Sequence, residues 1–287
     1  LQAIGIAKTM LHMKNILFLL FICLFGQFAQ AQFYYNDLLA NRQTNRQYSL
    51  FIQQGIKKVT ITSYDGNSPE SAGFTAEQTL DAGKRILRTR TITSQQGDAQ
   101  LEAFYNEKGW LIKTRDTAQN ASSQSAYEYN AGGQLIRLET SSRSDNITTT
   151  EVHQWNYNES GQPQSMLRIR NNSDTTRVSF HFDEKGNLVE EKSIRSNLPA
   201  IIYYYYYDAK NRLTDIVRYN AKAQRLLPDY IFEYNENDQL KKMTLVPEGS
   251  NAYEQWFYQY LPNGLRRMEL VYNKEQQLMG KVEYQYN

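Results

Sequence analysis

The chain has 287 residues, of which 40% are apolar and 22% charged, with a formal net charge of +2; this suffices for a buried core and gives nucleic acid no electrostatic hold. Lys8 and Lys14 lie before residue 32 in a stretch without acids, so the remainder carries thirty basic against thirty acidic residues. The single cysteine, Cys23, sits in that same stretch, which excludes disulfides and thiol chemistry from the rest.

In chain order the first element is a leader. Lys14 precedes an unbroken apolar run from Ile16 to Phe25, followed by Gly26 and by Ala29-Gln30-Ala31. The run is shorter than the ~20 residues a spanning helix requires, and a small-x-small cleavage site follows it. Residues 1–31 therefore read as a signal peptide with an upstream extension, and the mature chain is expected to begin at Gln32. Export without disulfides fits a bacterial periplasmic or cell-surface protein, with no stable membrane span.

The second region is 32–103. Leu38, Leu39, Tyr48, Leu50, Phe51 and Ile52 predict an N-terminal helix, capped by Asn36 or Asp37 and ended by Gly55, that frays or breaks across the polar stretch Asn41 to Gln47. Lys57 to Tyr64 and Arg85 to Thr93 are β-branched and alternating, and read as strands separated by a loop containing Asn67-Ser-Pro69 and Gly73. The helix is expected to cap an array whose first units have diverged.

The third region, 104–287, repeats. Asn106, Asn130, Asn158, Asp183, Asp208, Asn235 and, in the equivalent place, Leu261 are anchors spaced 24 to 28 residues apart, a period that holds two strands and two turns. One and three residues before an anchor stand aromatics: Tyr129 and Tyr127, Tyr157 and Trp155, Phe182 and Phe180, Tyr207 and Tyr205, Tyr234 and Phe232, Tyr260 and Tyr258. Alternate residues of a strand share a face, so each strand offers an aromatic pair to one side. The Asn or Asp opens a turn by bonding its own backbone, Gly109, Gly133, Gly161, Gly186 or Asn211 supplies positive φ three residues on, and leucine restarts the next strand.

These copies, clearest at Tyr127-Glu-Tyr-Asn130-Ala-Gly-Gly133-Gln-Leu135 and Tyr205-Tyr-Tyr-Asp208-Ala-Lys-Asn211-Arg-Leu213, resemble the YD-repeat, or RHS-repeat, family, whose consensus is Tyr-x-Tyr-Asp-x-x-Gly-Arg-Leu. The resemblance covers Phe104 to the C-terminus and implies β-hairpin architecture, an envelope or extracellular setting and surface binding. The expected fold is all-β: an antiparallel meander of YD-type hairpin repeats forming a twisted or curved sheet, too few to close a shell, with an N-terminal capping helix. Its last strand, Lys281 to Asn287, would be a free edge for self-association.

No catalytic constellation appears. There is no Gly-x-Ser-x-Gly elbow and no phosphate-cradling loop, and by strand parity His153 and His181 face opposite sides of the sheet as unrelated surface residues. The carboxylates Glu190-Glu191, and Glu128 and Glu233 at matching repeat positions, read as exposed strand residues. No enzyme activity, metal or other cofactor is expected. What remains is twenty-two tyrosines and three tryptophans. Most of them read as core, and a ligand surface is assigned to Tyr203, Tyr204, Tyr205, Tyr206, Tyr207, Trp155, Tyr157 and Tyr258, facing an envelope glycan or another envelope protein. The function read from the sequence is thus an exported, non-catalytic structural or binding module of the cell envelope. The alternatives are an outer-membrane β-barrel, which needs a contiguous apolar outer band, and a carbohydrate-active enzyme, which needs two converging carboxylates.

Overall fold

The computed structural model describes residues 33–66, 72–93, 97–220, 223–247 and 252–287; the leader and the Asn67-Ser-Pro69 loop lie outside the described residues. Among the described residues one helix, α1 (Asn36–Gln53), precedes eighteen strands. The strands are β1 (Lys58–Asp65), β2 (Ala72–Asp81), β3 (Ile86–Thr93), β4 (Gly97–Tyr105), β5 (Leu111–Ala118) and β6 (Ala121–Tyr129). They continue with β7 (Leu135–Ser144), β8 (Ile147–Tyr157), β9 (Pro163–Arg170), β10 (Asp174–Phe182), β11 (Leu188–Arg195) and β12 (Ile201–Tyr207). The last six are β13 (Leu213–Asn220), β14 (Arg225–Tyr234), β15 (Leu240–Leu245), β16 (Glu254–Tyr260), β17 (Arg266–Asn273) and β18 (Leu278–Tyr286).

Each strand pairs antiparallel with its sequence neighbours, and β18 pairs antiparallel with β1 from Val59↔Tyr286 to Asp65↔Gly280. The sheet is therefore a closed barrel, which corrects the expected open hairpin sheet. Closure satisfies the backbone groups that two free edges would have exposed: the amides of Lys57 and Lys58 donate to the Asn287 carbonyl at 2.9 and 3.0 Å, and the Asn287 amide donates to that of Lys58 at 2.8 Å. The edge on which self-association was expected is occupied. The count of repeats misled because β1 to β4, outside or at the margin of the repeated region, join the same ring. One of them, β2, falls where the sequence reading began a loop.

The repeat makes one rim of this barrel. Tyrosine one residue before an anchor stands at a register shift in the ladder, as at Glu128/Tyr129, Asn156/Tyr157 and Glu233/Tyr234, and such bulges sharpen the local twist at barrel rims. From there its hydroxyl reaches the carbonyl of the preceding repeat's strand-opening residue. Tyr129 donates to Leu111, Tyr157 to Leu135, Tyr234 to Leu213, Tyr260 to Leu240 and Tyr286 to Arg266, at 2.6–2.9 Å. Each bond is worth about 1 kcal/mol net, and together they brace repeat to repeat. The anchor accepts the amide four residues on, Gln134 N–H to Asn130 Oδ1 at 3.0 Å for example. Gly133 turns at φ +82° with the ring of Trp110 lying over it.

Inside and outside are chemically distinct. Facing inward are Val59, Ile61, Phe74, Leu111 and Val282 on one side, and Leu135, Trp155, Met166, Phe180, Tyr203, Tyr205 and Ile216 on the other. Helix α1 lies between these two clusters, giving Phe51 and Tyr48 to the first and Leu38 to the second, with Phe33 beside Leu38. Tyr48 stacks on Tyr105 at 3.7 Å. The outer wall carries ion pairs well inside the strands: Arg88–Glu102 at 2.9 Å, Arg137–Glu139 at 2.8 Å, Lys242–Glu233 at 2.9 Å and Lys281–Glu283 at 2.8 Å. Among the described residues no helix is long and apolar enough to cross a membrane. Of the architectures weighed from the sequence, the closed wall supports the β-barrel of the outer-membrane alternative better than the open binding module, while the ion pairs on that wall depart from the contiguous apolar band that a lipid-embedded barrel needs.

Candidate functional site

The site is the joint between α1 and the wall. Neither Asn36 nor Asp37 caps the helix, which begins after Tyr35 with no side-chain cap of its own. A wall residue does that work. Glu191 of β11, fully buried, accepts the Tyr34 amide at 2.7 Å and the Tyr35 amide at 2.9 Å. Tyr205 donates its hydroxyl to the same carboxylate at 2.8 Å. A carboxylate at a helix N-terminus meets unpaired N–H groups and the positive end of the helix dipole, yet burial outweighs these donors and lifts the Glu191 pKa to about 7.

One turn along, Asp37 Oδ2 meets His153 Nδ1 of β8 at 2.5 Å, and His153 Nε2 meets Glu151 Oε1 at 2.9 Å. Glu151 in turn accepts from Arg168 of β9 at 2.6 Å. Burial pulls His153 toward neutrality, but the Asp37 and Glu151 carboxylates prevail and raise its pKa to about 9. Burial likewise opposes ionisation of Glu151, while His153 and Arg168 bring its pKa down to about 2. With both ring nitrogens engaged by carboxylates, His153 is a charged strut between plug and wall and has no free nitrogen to act as a base. It is also buried, at 8% exposure, which corrects the expectation of a surface histidine; His181 faces outward as parity required, opposite Glu190.

The polar middle of α1 does not fray, because the wall uses it. Asn41 donates to the Tyr129 hydroxyl at 2.7 Å, and Asn45 Oδ1 accepts the Leu111 amide at 2.8 Å. At the far end Gln54 and Asn263 exchange two hydrogen bonds, at 2.9 and 2.8 Å. The helix is thus fastened at both ends and in its middle.

The aromatic residues assigned to a ligand surface do not form one face. Tyr203 and Tyr205 are buried against Phe33, and Trp155 stacks on Phe180 at 5.2 Å. Tyr157 is a rim brace. Tyr258 lies under the Arg266 guanidinium, which pairs with buried Glu269 at 2.6 Å. Tyr207 is a partly buried member of the second core cluster. Tyr204 and Tyr206 alone point outward, across from Val217 and Asp215, with Tyr206 48% exposed.

Glu191 escaped the sequence reading for a physical reason. Strict alternation from Leu188 would put Glu190 inside and Glu191 outside. The register shift between His181 and Phe182 lets Val189 bulge, so Leu188 and Glu191 share the inner face instead. Nothing in the sequence marks that slip except the recurring turn itself.

Fold and joint together define a closed antiparallel β-barrel filled by its own helix. No family model and no curated protein matches the chain. Among solved structures it is similar to a porin-like protein from Bacteroides uniformis, at 8% identity and a TM-score of 0.40 over 81% of this chain and 98% of that one. It is also similar to a porin-like protein from Bacteroides vulgatus, at 11% identity and a TM-score of 0.31 over 81% and 98%. A third is the TcdB2-TccC3-Cdc42 complex, at 14% identity and a TM-score of 0.33 over 73% of this chain and 11% of the other. At these scores the likenesses carry nothing about what the chain does.

Proposed function

We propose that this protein is a sealed β-barrel of the bacterial envelope that acts by binding, without catalysis and without conducting solutes. The carrying observation is the joint: Glu191 and the Asp37–His153–Glu151 strut hold α1 inside the barrel, where wide barrels otherwise leave an aqueous channel. The leader supports export. Membership of the YD-repeat family belongs to the same proposal, supported by the single structural task each motif residue performs at the rim.

The outer wall bears on placement. Arg or Lys facing lipid at mid-bilayer costs about 2–4 kcal/mol each, and the paired charges of β3 to β7 and of β18 fit water. One sector differs: β12 to β14 turn Ile202, Tyr204, Tyr206, Val217, Tyr219 and Ile231 outward, with Asp215 and, toward β15, Glu233 the charges among them. We assign that sector to contact with an envelope component, an outer-membrane surface or a protein. Cell fractionation tests this. Recovery in the envelope, with release by salt or alkali and no need of detergent, is the expected result; release only by detergent would put the wall in lipid. A planar-bilayer recording should show no conductance, and steady channels would refute the sealed bore.

A further inference from the structure

The tyrosine brace that ties repeat to repeat is missing where β9 meets β10. At the junctions on either side the residue before the anchor reaches back with its hydroxyl, Tyr157 to the Leu135 carbonyl and Tyr207 to the Leu188 backbone. Between them the same position is Phe182, which has no hydroxyl, and the strand-opening leucine is replaced by Pro163, which has no N–H. Both halves of the brace change at one junction. The ladder between β9 and β10 ends at Ser165↔Ser179, and past that point Pro163 and Phe182 border a cleft of about 440 Å³. Small-molecule sites typically enclose about 300–1,000 Å³.

The lining restricts what can enter. Pro163, Phe180 and Phe182 give apolar surface, and Gln162, Gln164, Ser179 and His181 give carboxamides, a hydroxyl and an imidazole. Gln164, the extra residue at the β9 register shift, and His181 are exposed on the two strands that flank the cleft. His181 Nδ1 stands 3.7 Å from Glu190 Oε1, beyond hydrogen-bond reach. The rim turn fixes Gln162, whose backbone amide donates to Asn158 Oδ1 at 2.8 Å and whose Oε1 accepts from Asn158 Nδ2 at 3.2 Å. Among the described residues no Asp, Glu, Lys or Arg lines the cleft, so an anion or a metal ion would find no counter-charge there. An added peptide strand would meet Pro163 without a donor, and only Phe180 to Phe182 of β10 extend past the ladder. Groups that both give and accept hydrogen bonds, set beside a small apolar surface, match a neutral ring bearing hydroxyls.

We propose that the cleft between β9 and β10 binds one sugar unit of a neutral glycan. A ligand hydroxyl donates to the Pro163 carbonyl in place of the missing tyrosine hydroxyl, Gln164 and His181 bond others at the mouth, and Pro163 and Phe182 supply the apolar contact. The inference goes beyond the sealed-barrel reading, since it places a ligand at the rim, apart from both the filled bore and the β12 to β14 sector.

The test is calorimetric titration of the purified protein with D-glucose, D-galactose, N-acetyl-D-glucosamine and maltose. At least one should bind. His181→Ala and Gln164→Ala, both at exposed positions that leave the core untouched, should each weaken binding about tenfold. Phe182→Tyr should restore the brace, raising Tm while weakening binding at least tenfold, because the protein's own hydroxyl then takes the Pro163 carbonyl. The outer-wall variant Tyr204→Ala/Tyr206→Ala should bind as the parent does. The proposal is overturned if no probe gives heat, if Phe182→Tyr raises Tm and binds as the parent does, if His181→Ala and Gln164→Ala both leave binding unchanged, or if Tyr204→Ala/Tyr206→Ala abolishes it. Failure here leaves the sealed-barrel reading standing, since conductance and fractionation test that separately.

Discussion

Changing Glu191 to glutamine separates the cost of burying its charge from the value of its hydrogen bonds. The carboxyl titrates at 4.5 when unperturbed and at about 7 in the fold. Because the folded pKa is the higher, the folded state holds its proton over a pH range in which the unfolded chain has released it. The contribution is therefore fully present below pH 4.5, shrinks as pH rises and is gone above about 7. The difference amounts to about 3 kcal/mol, or about 6–12 °C in Tm for a chain of this size. Glutamine does not titrate, so Glu191→Gln loses that decline. It pays a pH-independent penalty instead: its amide N–H₂ must face either the Tyr34 amide or the Tyr35 amide and Tyr205 hydroxyl, at about 1–3 kcal/mol for an acceptor lost. Thermal unfolding of both proteins at pH 5 and pH 8 reads the result. The variant should be clearly less stable at pH 5 and close to the parent at pH 8. Asp116 titrates within the same window, but it does so in both proteins and cancels from the comparison. A variant whose Tm falls from pH 5 to pH 8 as steeply as the parent's would refute a buried carboxylate at the helix cap.

His153 should act on the alkaline side. Its raised pKa makes its stabilisation complete below pH 6.5 and lost as pH climbs through about 9, and His153→Gln should flatten that limb while leaving Asp37 without its cation, at about 3–5 kcal/mol; equal alkaline limbs in chemical denaturation would count against the strut. At the rim, Gly133→Ala combines a φ of +82° with a Cβ only 2.6 Å from the Trp110 ring, so it should cost about 1–3 kcal/mol, whereas Gly132→Ala, whose nearest neighbour is Asn130 Oδ1 at 3.4 Å, should cost less; similar urea midpoints for the two would contradict the turn geometry. Tyr129→Phe removes the hydroxyl that donates to Leu111 and accepts from Asn41, with a loss of about 1–3 kcal/mol and faster amide exchange at the start of β5, and an unchanged exchange pattern would show that the brace is idle.

Much of the local structure was legible because it is written in short-range chemistry. The Asn or Asp that opens each turn, the residue three positions on that tolerates positive φ, and the paired aromatics before the anchor need only neighbours within a few residues. The strands of β1 and β3, and the helix from Asn36, follow from alternation and periodicity over comparable spans. The site was less legible, because its parts come from distant segments: Glu191 meets Tyr34 across 157 positions and His153 meets Asp37 across 116. Both were assigned to the surface because a polar residue on a strand normally goes there.

What the sequence determined by itself, then, is a tyrosine-rich chain of antiparallel hairpins preceded by a helix, since turn and strand signals are all local. Only the tertiary structure decided that the hairpins close. Closure depends on twist accumulated over eighteen strands until β18 meets β1, and on a bulge in each repeat that resets which residues face inward. The slip at Val189 put Glu191 inside, where it could cap the helix, and closure decided that the Tyr203 and Tyr205 face is the core while the Tyr204 and Tyr206 face looks outward. Side-chain direction alternates with every residue, so a single bulge reverses it, and nothing local in composition records the reversal.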